Sequence, residues 1–382
     1  MSIVKYPGGK ERELPIINKF LPARINNYYE PFVGGGSVYM NMTANSYLIN
    51  DFSEDLINLY RCIQQQDHEF FESLSEINTV WKNVDAYFES DLSQDDGLVS
   101  AYIKYKDGLI PSEDLEGVLI NYFRDHEKSL RNIVRPLNVG DIYVFLEEAK
   151  RIMLKKMLRM KVLEFTKKHL PDKDISENIR GALKAAVYMY VRYLYNHSSH
   201  RSNGFKAMLY LFMRDMCYSG MFRFNADGEF NVPYGGISYN AKTYDSTIEK
   251  YKDAGLAAKM KNTIVSCRDY AEFMKQYPPE ADDFVFVDPP YDSEFSTYDN
   301  AVFDCEAQKK LADYLINECP CNFMVDIKCT DVIRSIYPEG TICRNGNRLT
   351  IVYFDKKYNV SFMNRNDRDA QHMLVMNYKP QA

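Results

Sequence analysis

An α/β fold, with a mostly parallel sheet interrupted by a mostly helical insertion, is what this sequence predicts, and three stretches predict it. Residues 284–287, FVFV, are an unbroken aromatic and β-branched run, the pattern of a strand buried on both faces in the middle of a parallel sheet. Residues 26–42, NNYYEPFVGGGSVYMNM, read as a strand, a glycine turn and a helix, and SYLIN follows as a second strand leading to Asp51. Between Tyr60 and about Asp253 no further buried strand run occurs. Helical patterns rich in aromatics take its place, including VYMYVRYLYN at 187–196 and LYLFMRDM at 209–216. The expected division is residues 1–60 and 254–382 in the sheet domain and residues 61–253 in the insertion.

Each element has its own reason. KYPGGK, residues 5–10, is a turn with two glycines between lysines, followed by the amphipathic pattern of Leu14, Ile17, Phe20 and Leu21. Glycines 34 to 36 permit a tight turn and a close backbone approach, and Asp51 stands where a nucleotide-binding α/β fold sets an acid against ribose hydroxyls. DLINLY continues as a helix. The tyrosines of 187–196 fall at helical spacing, which suits a packed core better than a base-stacking platform. In CYSGMFRFNADGEFNVPYGG, residues 217–236, Asp227-Gly228 reads as the turn of a hairpin and Pro233 suits an edge position. A twisted ribbon of that kind fits a DNA major groove, and Arg223 has the forked donor geometry that reads guanine. TIVSCRDYAEFM supplies another strand, with Asp269 and Tyr270 after it, and NFMVDI at 322–327 a further one.

Composition bounds the function. The chain has 382 residues, enough for a sizeable core, and a net charge of −6, which argues mildly against a nucleic-acid partner. Distribution counts for more than the sum. Lys150, Arg151, Lys155, Lys156, Arg159, Lys161, Lys167 and Lys168 share their stretch with one acid, Glu164, so a local positive surface is compatible with an acidic protein. The eight cysteines are scattered, and the closest pair, Cys319 and Cys321, lacks the spacing of a redox or zinc motif. His197 and His200 have no further ligand in view, so no metal is expected. No run is apolar for long enough to span a bilayer and the start lacks a signal-peptide core, so the expected location is cytoplasmic, with no membrane contact.

The strand 284–287 must stop at Asp288, because neither Pro289 nor Pro290 donates to a sheet ladder and both fix φ. Asp288, the carbonyl of Pro289 and the ring of Tyr291 are then held at the carboxyl end of a strand, where open α/β sheets place their ligands. A carboxylate and a carbonyl that each accept one N–H, beside a ring that stacks, suit a planar substrate carrying an amino group.

These motifs, in this order, resemble the Dam-type (alpha-class, DPPY) DNA adenine-N6 methyltransferases. The resemblance lies in the opening KYPGGK, the EPFxGxG and ND pairs of the cofactor region, and RxNxxGEFNVPxG of the recognition hairpin. It continues in DPPY and the closing YNVSFMNRNDRDAQHMLVMNY with Asn364 and Arg365, and it covers roughly residues 1–60 and 205–382. It implies a Rossmann-like S-adenosylmethionine-dependent methyltransferase sheet with an inserted helical target-recognition domain. Tyr6, Lys10, Glu30, Phe32, Gly34, Gly36, Asp51, Asp269, Tyr270 and Asp288 would hold the cofactor, and Asp288, Pro289 and Tyr291 a flipped adenine. Ser219, Arg223, Asn231 and Pro233 would meet double-stranded DNA, with Arg201, Lys155, Lys156 and Arg159 of the insertion adding contacts. A cognate restriction endonuclease is compatible with such an enzyme and not required by it. In GATC-methylating members an asparagine and an arginine stand where this chain has Ser219 and Gly236, so the resemblance implies a different target sequence. The competing readings are a methyltransferase on RNA or on a protein amide, a catalytically silent DNA-binding subunit, and a nicotinamide or flavin oxidoreductase.

Overall fold

The computed structural model of the chain describes residues 2–137, 139–167, 169–290, 303–357 and 369–379. Tyr291, Asn364, Arg365 and Lys168, all named above, lie outside them. The chain divides into two compact units, Met1–Arg61 with Ala258–Ala382, and Cys62–Ala257.

In chain order α1 (Leu14–Ile17), β1 (Asn27–Glu30), α2 (Ser37–Asn41), β2 (Ser46–Asn50) and α3 (Glu54–Gln64) come first. Helices α4 (His68–Leu92), α5 (Leu98–Lys106), α6 (Leu115–Asp125) and α7 (Glu127–Val134) follow. Next are α8 (Ile142–Lys167), α9 (Asp172–Asn196), α10 (Asn203–Met216), α11 (Asp245–Tyr251) and α12 (Ala254–Lys261). The chain then runs through β3 (Thr263–Ser266), α13 (Tyr270–Gln276), β4 (Phe284–Val287) and α14 (Cys305–Asp313). It closes with β5 (Asn322–Lys328), α15 (Asp331–Ile336), β6 (Thr350–Lys357) and β7 (Asp369–Met376).

Among the described residues the seven strands of the first unit make one sheet, in the order β3-β2-β1-β4-β5-β7-β6. Strands β1 to β5 pair in parallel, and β7 lies antiparallel between β5 and β6. Strand order reverses between β1 and β4, so the connections leaving these two strands diverge and open a crevice at their carboxyl ends. All four side chains of β4 are fully buried, each contributing roughly 1.5–3 kcal/mol by leaving water. Val285, Val287 and Val325 share a core with Phe273, Leu311 and Ile333 of α13, α14 and α15 and with Leu315 just after α14. Register is set at the opposite end of the strands. Buried Asp283 accepts from the Asn27 backbone N–H at 3.0 Å and from its side-chain amide at 2.8 Å, and Asn27 in turn accepts from the Ser46 hydroxyl at 2.5 Å. A one-residue slip would turn Asp288 to the other face of the sheet, and this polar chain across β4, β1 and β2 opposes it.

The second unit is built of helices. Trp81 of α4 is fully buried, edge-on to Phe212 of α10 at 5.5 Å and to Tyr234 at 5.9 Å. Tyr188 and Tyr190 of α9 and Tyr210 of α10 are buried, so the tyrosine stripe is core. Lys184 is buried with them; its amine donates to Asp85 at 2.9 Å and lies 4.5 Å over the Trp81 ring, and burial pushes it down to about 8.

Residues 217–236 correct the expectation of a two-stranded ribbon. Two isolated bridges, Cys217 with Tyr234 and Phe224 with Phe230, pair the arms, and no ladder joins them. The turn itself forms where the sequence places it. The Asn225 side chain accepts from the N–H groups of Asp227 and Glu229 at 3.1 and 2.8 Å, and Gly228 supplies a φ of 77°. Backbone bonds cross the arms from Asn225 N–H to the Glu229 carbonyl at 2.8 Å and from Asn231 N–H to the Arg223 carbonyl at 3.1 Å, and the outward-facing groups of Phe230 and Val232 are met by α9. Asn196 accepts from the Phe230 N–H at 3.0 Å and donates to its carbonyl at 3.2 Å, and the Tyr188 hydroxyl donates to the Val232 carbonyl at 2.7 Å. Helical geometry likewise divides the basic run of α8. Lys155 and Arg159, four apart, are exposed, whereas Lys156 is half-buried and donates to Asn178 of α9 at 3.3 Å.

Candidate active site

The carboxyl end of β4 is met by the amino-terminal loop. The Lys10 amine, 2% exposed, donates to Asp288 Oδ1 at 2.6 Å, and the Lys10 backbone N–H donates to the hydroxyl of Ser37, the first residue of α2, at 2.9 Å. The loop is thus laid over the glycine turn, and its last lysine is delivered to the strand end. Burial pushes the Asp288 carboxyl up to about 6, with Lys10 pulling it down and the charge of Asp326 pushing it up. Behind it, the fully buried Gln308 of α14 donates to the Pro290 carbonyl at 2.8 Å and holds the proline turn.

Packing explains the glycines. Gly34 and Gly36 have φ of 48° and 71°, and a Cβ on Gly35 would stand 2.6 Å from the Val4 carbonyl. A Cβ on Gly34 would stand 3.2 Å from the Tyr6 ring, so Tyr6 lies over the turn. Asp51 accepts from the Gly34 N–H at 2.9 Å through one oxygen and from the Ser53 N–H at 3.0 Å through the other. Its neighbour Asn50, 1% exposed, donates to the carbonyls of Pro31 and Arg268 at 3.0 and 2.9 Å and accepts from the Arg268 N–H at 3.0 Å. One side chain therefore ties the loops that leave β1 and β3. Phe32, Tyr270 and Phe303 pack together with centroids 5.4 to 5.8 Å apart, and Asp269 caps α13 through the Ala271 N–H at 2.8 Å.

Glu30, which the resemblance assigns to the cofactor, has its own partners in the sheet domain. It is 2% exposed, accepts from the Tyr28 hydroxyl at 2.6 Å and from the Tyr39 backbone at the start of α2, and burial pushes it up to about 8. Its carboxyl is turned into the core. In the second unit, exposed Arg223 donates through Nε to Asn231 Oδ1 at 2.9 Å, so two of the predicted DNA residues meet. Exposed Pro233 accepts from the Tyr218 N–H at 2.8 Å. Ser219 has a left-handed φ of 56°, a region asparagine tolerates better than serine, and exposed Arg201 lies 5.8 Å over the Phe205 ring.

Comparison with known proteins decides the family. The D12 class N6 adenine-specific DNA methyltransferases match this chain over residues 6–360. The chain belongs to that family. Its similarity to individual members is low but long. It is 24% identical to the Type II methyltransferase M.MjaIII of Methanocaldococcus jannaschii over 325 residues, 81% of this chain and 78% of that protein. It is 23% identical to the DNA adenine methylase of Escherichia coli over 319 residues, 82% of this chain and 74% of that one. A shorter match, 29% over 179 residues, covers 45% of this chain and 61% of the Type II methyltransferase M.CviBI of Paramecium bursaria Chlorella virus NC1A. Family membership makes the reaction methyl transfer to adenine N6 in DNA, and the matched interval includes residues 61–204, which the motifs alone left aside.

Asn50, Gln308 and the Asp326–His372 pair are the residues around the site that motif reasoning passed over. Asn50 had a signal, as the first letter of the ND pair. Asp326 had one too, as an acid inside the otherwise apolar strand NFMVDIK. Gln308 had none, because its role comes from a helix folded back onto the proline turn.

Proposed function

We propose that the chain transfers a methyl group from S-adenosylmethionine to N6 of an adenine turned out of double-stranded DNA at a specific site. The observation that carries this reading is Asp288, a carboxylate at the sheet's switch point that already accepts from an amine nitrogen at 2.6 Å. The first unit suits the cofactor: a left-handed glycine turn that admits close backbone approach, an acid beside it for ribose hydroxyls, and an aromatic group for a purine. Tyr6, Lys10, Gly34, Gly36, Asp51, Phe32, Asp269 and Tyr270 would hold it. When bound, it supplies a methyl group on a positively charged sulfur, an electrophile that needs no further activation.

The protein's own part is orientation. Asp288 and the Pro289 carbonyl accept the two N6 protons and aim the nitrogen lone pair, and Tyr291, outside the described residues, is assigned the stacking role. Turning a base out of the duplex costs a few kcal/mol, and stacking returns roughly 1–3 kcal/mol. In the second unit Arg223, held by Asn231, is the candidate base reader, and Lys155 and Arg159 are the candidate phosphate contacts. No helix among the described residues is long and apolar enough to cross a membrane. The test is incubation of the purified protein with isotopically methyl-labelled S-adenosylmethionine and duplex DNA, single-stranded DNA or RNA, followed by nucleoside mass spectrometry. Label in N6-methyladenine from duplex DNA is the expected result; label confined to RNA, cytosine or protein would overturn the reading.

A further inference from the structure

Beside Asp288 the sheet carries a second carboxylate that the reaction as described leaves unused. β4 and β5 run parallel with Val287 opposite Val325, so Asp326 stands across from Asp288 on the same face. Asp326 has no exposed surface, accepts at Oδ1 from Nδ1 of His372 on β7 at 3.2 Å, and among the described residues has no hydrogen-bond partner at Oδ2. An ionised acid placed so deep costs stability unless its charge is matched. The charges around the two acids come from every neighbouring element: Lys10 of the amino-terminal loop, Glu30 of β1 with the Tyr28 hydroxyl, and Lys356 of β6 paired at 2.7 Å with Glu13.

We propose that Asp326, oriented by His372, is a positioning residue of the methyl-transfer site, whose fixed negative charge makes Asp288 the carboxylate that takes and returns a proton. The inference rests on the assignment of Asp288 as the acceptor of the target amine. Two carboxylates in one poorly solvated pocket do not ionise alike. Burial works to raise Asp326, but Lys10, His372 and Lys356 outweigh it and hold this acid below the usual carboxylate range. Burial holds His372 below the ordinary imidazole range, so its ring is neutral at neutral pH and donates one N–H without cancelling the charge of Asp326. Asp288 is then the acid left near neutrality. In the transfer, the N6 lone pair forms the bond to the methyl carbon and the carbon–sulfur pair leaves with sulfur as a neutral thioether. N6 is left with one proton too many; that proton passes to Asp288 and from there to water when product leaves.

The experiment is the pH profile of single-turnover methylation by the full chain with duplex DNA and saturating cofactor. Asp326→Asn should move the acid limb to lower pH by about one unit while leaving cofactor affinity unchanged, because Asp288 loses the neighbouring charge that raises it. His372→Asn, which keeps a donor at the Nδ1 position, should hold the wild-type limb, and His372→Leu should move it as Asp326→Asn does. A wild-type limb in a folded Asp326→Asn protein overturns the proposal. If thermal melting shows that variant to be unfolded, identical limbs in the two His372 variants overturn it instead. Asp288→Ala separates the two levels: turnover in that variant removes the acceptor assignment itself, whereas an inactive Asp288→Ala with an unmoved Asp326→Asn limb removes only this inference.

Discussion

Asp288 owes its behaviour to residues far from it in sequence. Burial raises its proton affinity, and two distant residues act on it in opposite senses: Lys10, 278 positions away, pulls it down and Asp326, on another strand, pushes it up. Asp288→Ala should abolish transfer, a fall of about 10²-fold or more, with little change in melting temperature, since β4 is held by its apolar run; single-turnover rates with a thermal melt check both halves. In the wild type, Asp288 is protonated below its value of about 6 and then has no charge to accept with, so kcat/KM should fall as pH drops through that point. Asp51→Ala should weaken cofactor binding by about 1–3 kcal/mol in calorimetry, the cost of removing a charge-assisted hydrogen bond. Glu30 yields a stability prediction. Its folded value, about 8, lies above that of an unfolded glutamate, so its contribution is full below the ordinary carboxylate range and is lost as pH rises through 8. Glu30→Gln should flatten the decline of the melting temperature across that window.

At the scale of elements, α8 and the segment 217–236 show how packing sorts side chains that look equivalent in a sequence. Lys155 and Arg159 lie on the exposed face of α8 and Lys156 is committed to Asn178. Replacing Lys155 and Arg159 by alanine should lower affinity for every DNA sequence and flatten the salt dependence by about one unit of slope for each phosphate left unneutralised, whereas Lys156→Ala alone should leave the slope in place. Fluorescence anisotropy over a salt series decides between them. In 217–236 aromatic side chains reinforce the short backbone pairing: Phe222 packs on Phe230 at 4.7 Å, and the buried Arg214 guanidinium lies 3.6 Å over Phe222. The arm that carries Arg223 is therefore held both by its backbone bond to Asn231 at 3.1 Å and by side-chain packing, and a β-pattern in the sequence reveals only the first.

The whole molecule has to choose a target sequence. By the resemblance set out above, Ser219 and Gly236 would replace the asparagine and arginine of a GATC-reading hairpin, and a good base contact is worth about 1–3 kcal/mol of discrimination. Ser219 is left-handed, so asparagine there also has a backbone reason, and Gly236, with no side chain to read anything, is the more telling of the two differences. The expected target is an adenine in a sequence other than GATC. Arg223→Ala should relax the preference at one base pair of it. Methylation-aware sequencing of DNA from cells expressing the protein tests both statements, and complete, exclusive GATC modification would sink the first.

The sequence by itself determined the sheet, the crevice and the chemistry. A four-residue aromatic and β-branched run suits the centre of a parallel sheet, two prolines must end it, and glycines followed by an acid one strand later are the pattern of the cofactor end of an α/β unit. These are local rules, enforced by φ restriction, hydrogen-bond loss and side-chain periodicity, and they are legible wherever the residues that obey them are neighbours in the chain. Tertiary structure alone decided which polar groups share a pocket. It turned Glu30 inward to Tyr28, committed Lys156 to Asn178, cut the expected ribbon down to two isolated bridges, and set Asp326 and His372 beside Asp288. Charge interactions and desolvation depend on distance through space, and residues 10, 288, 326 and 372 become neighbours only when the sheet has paired its strands in the order 1-4-5-7.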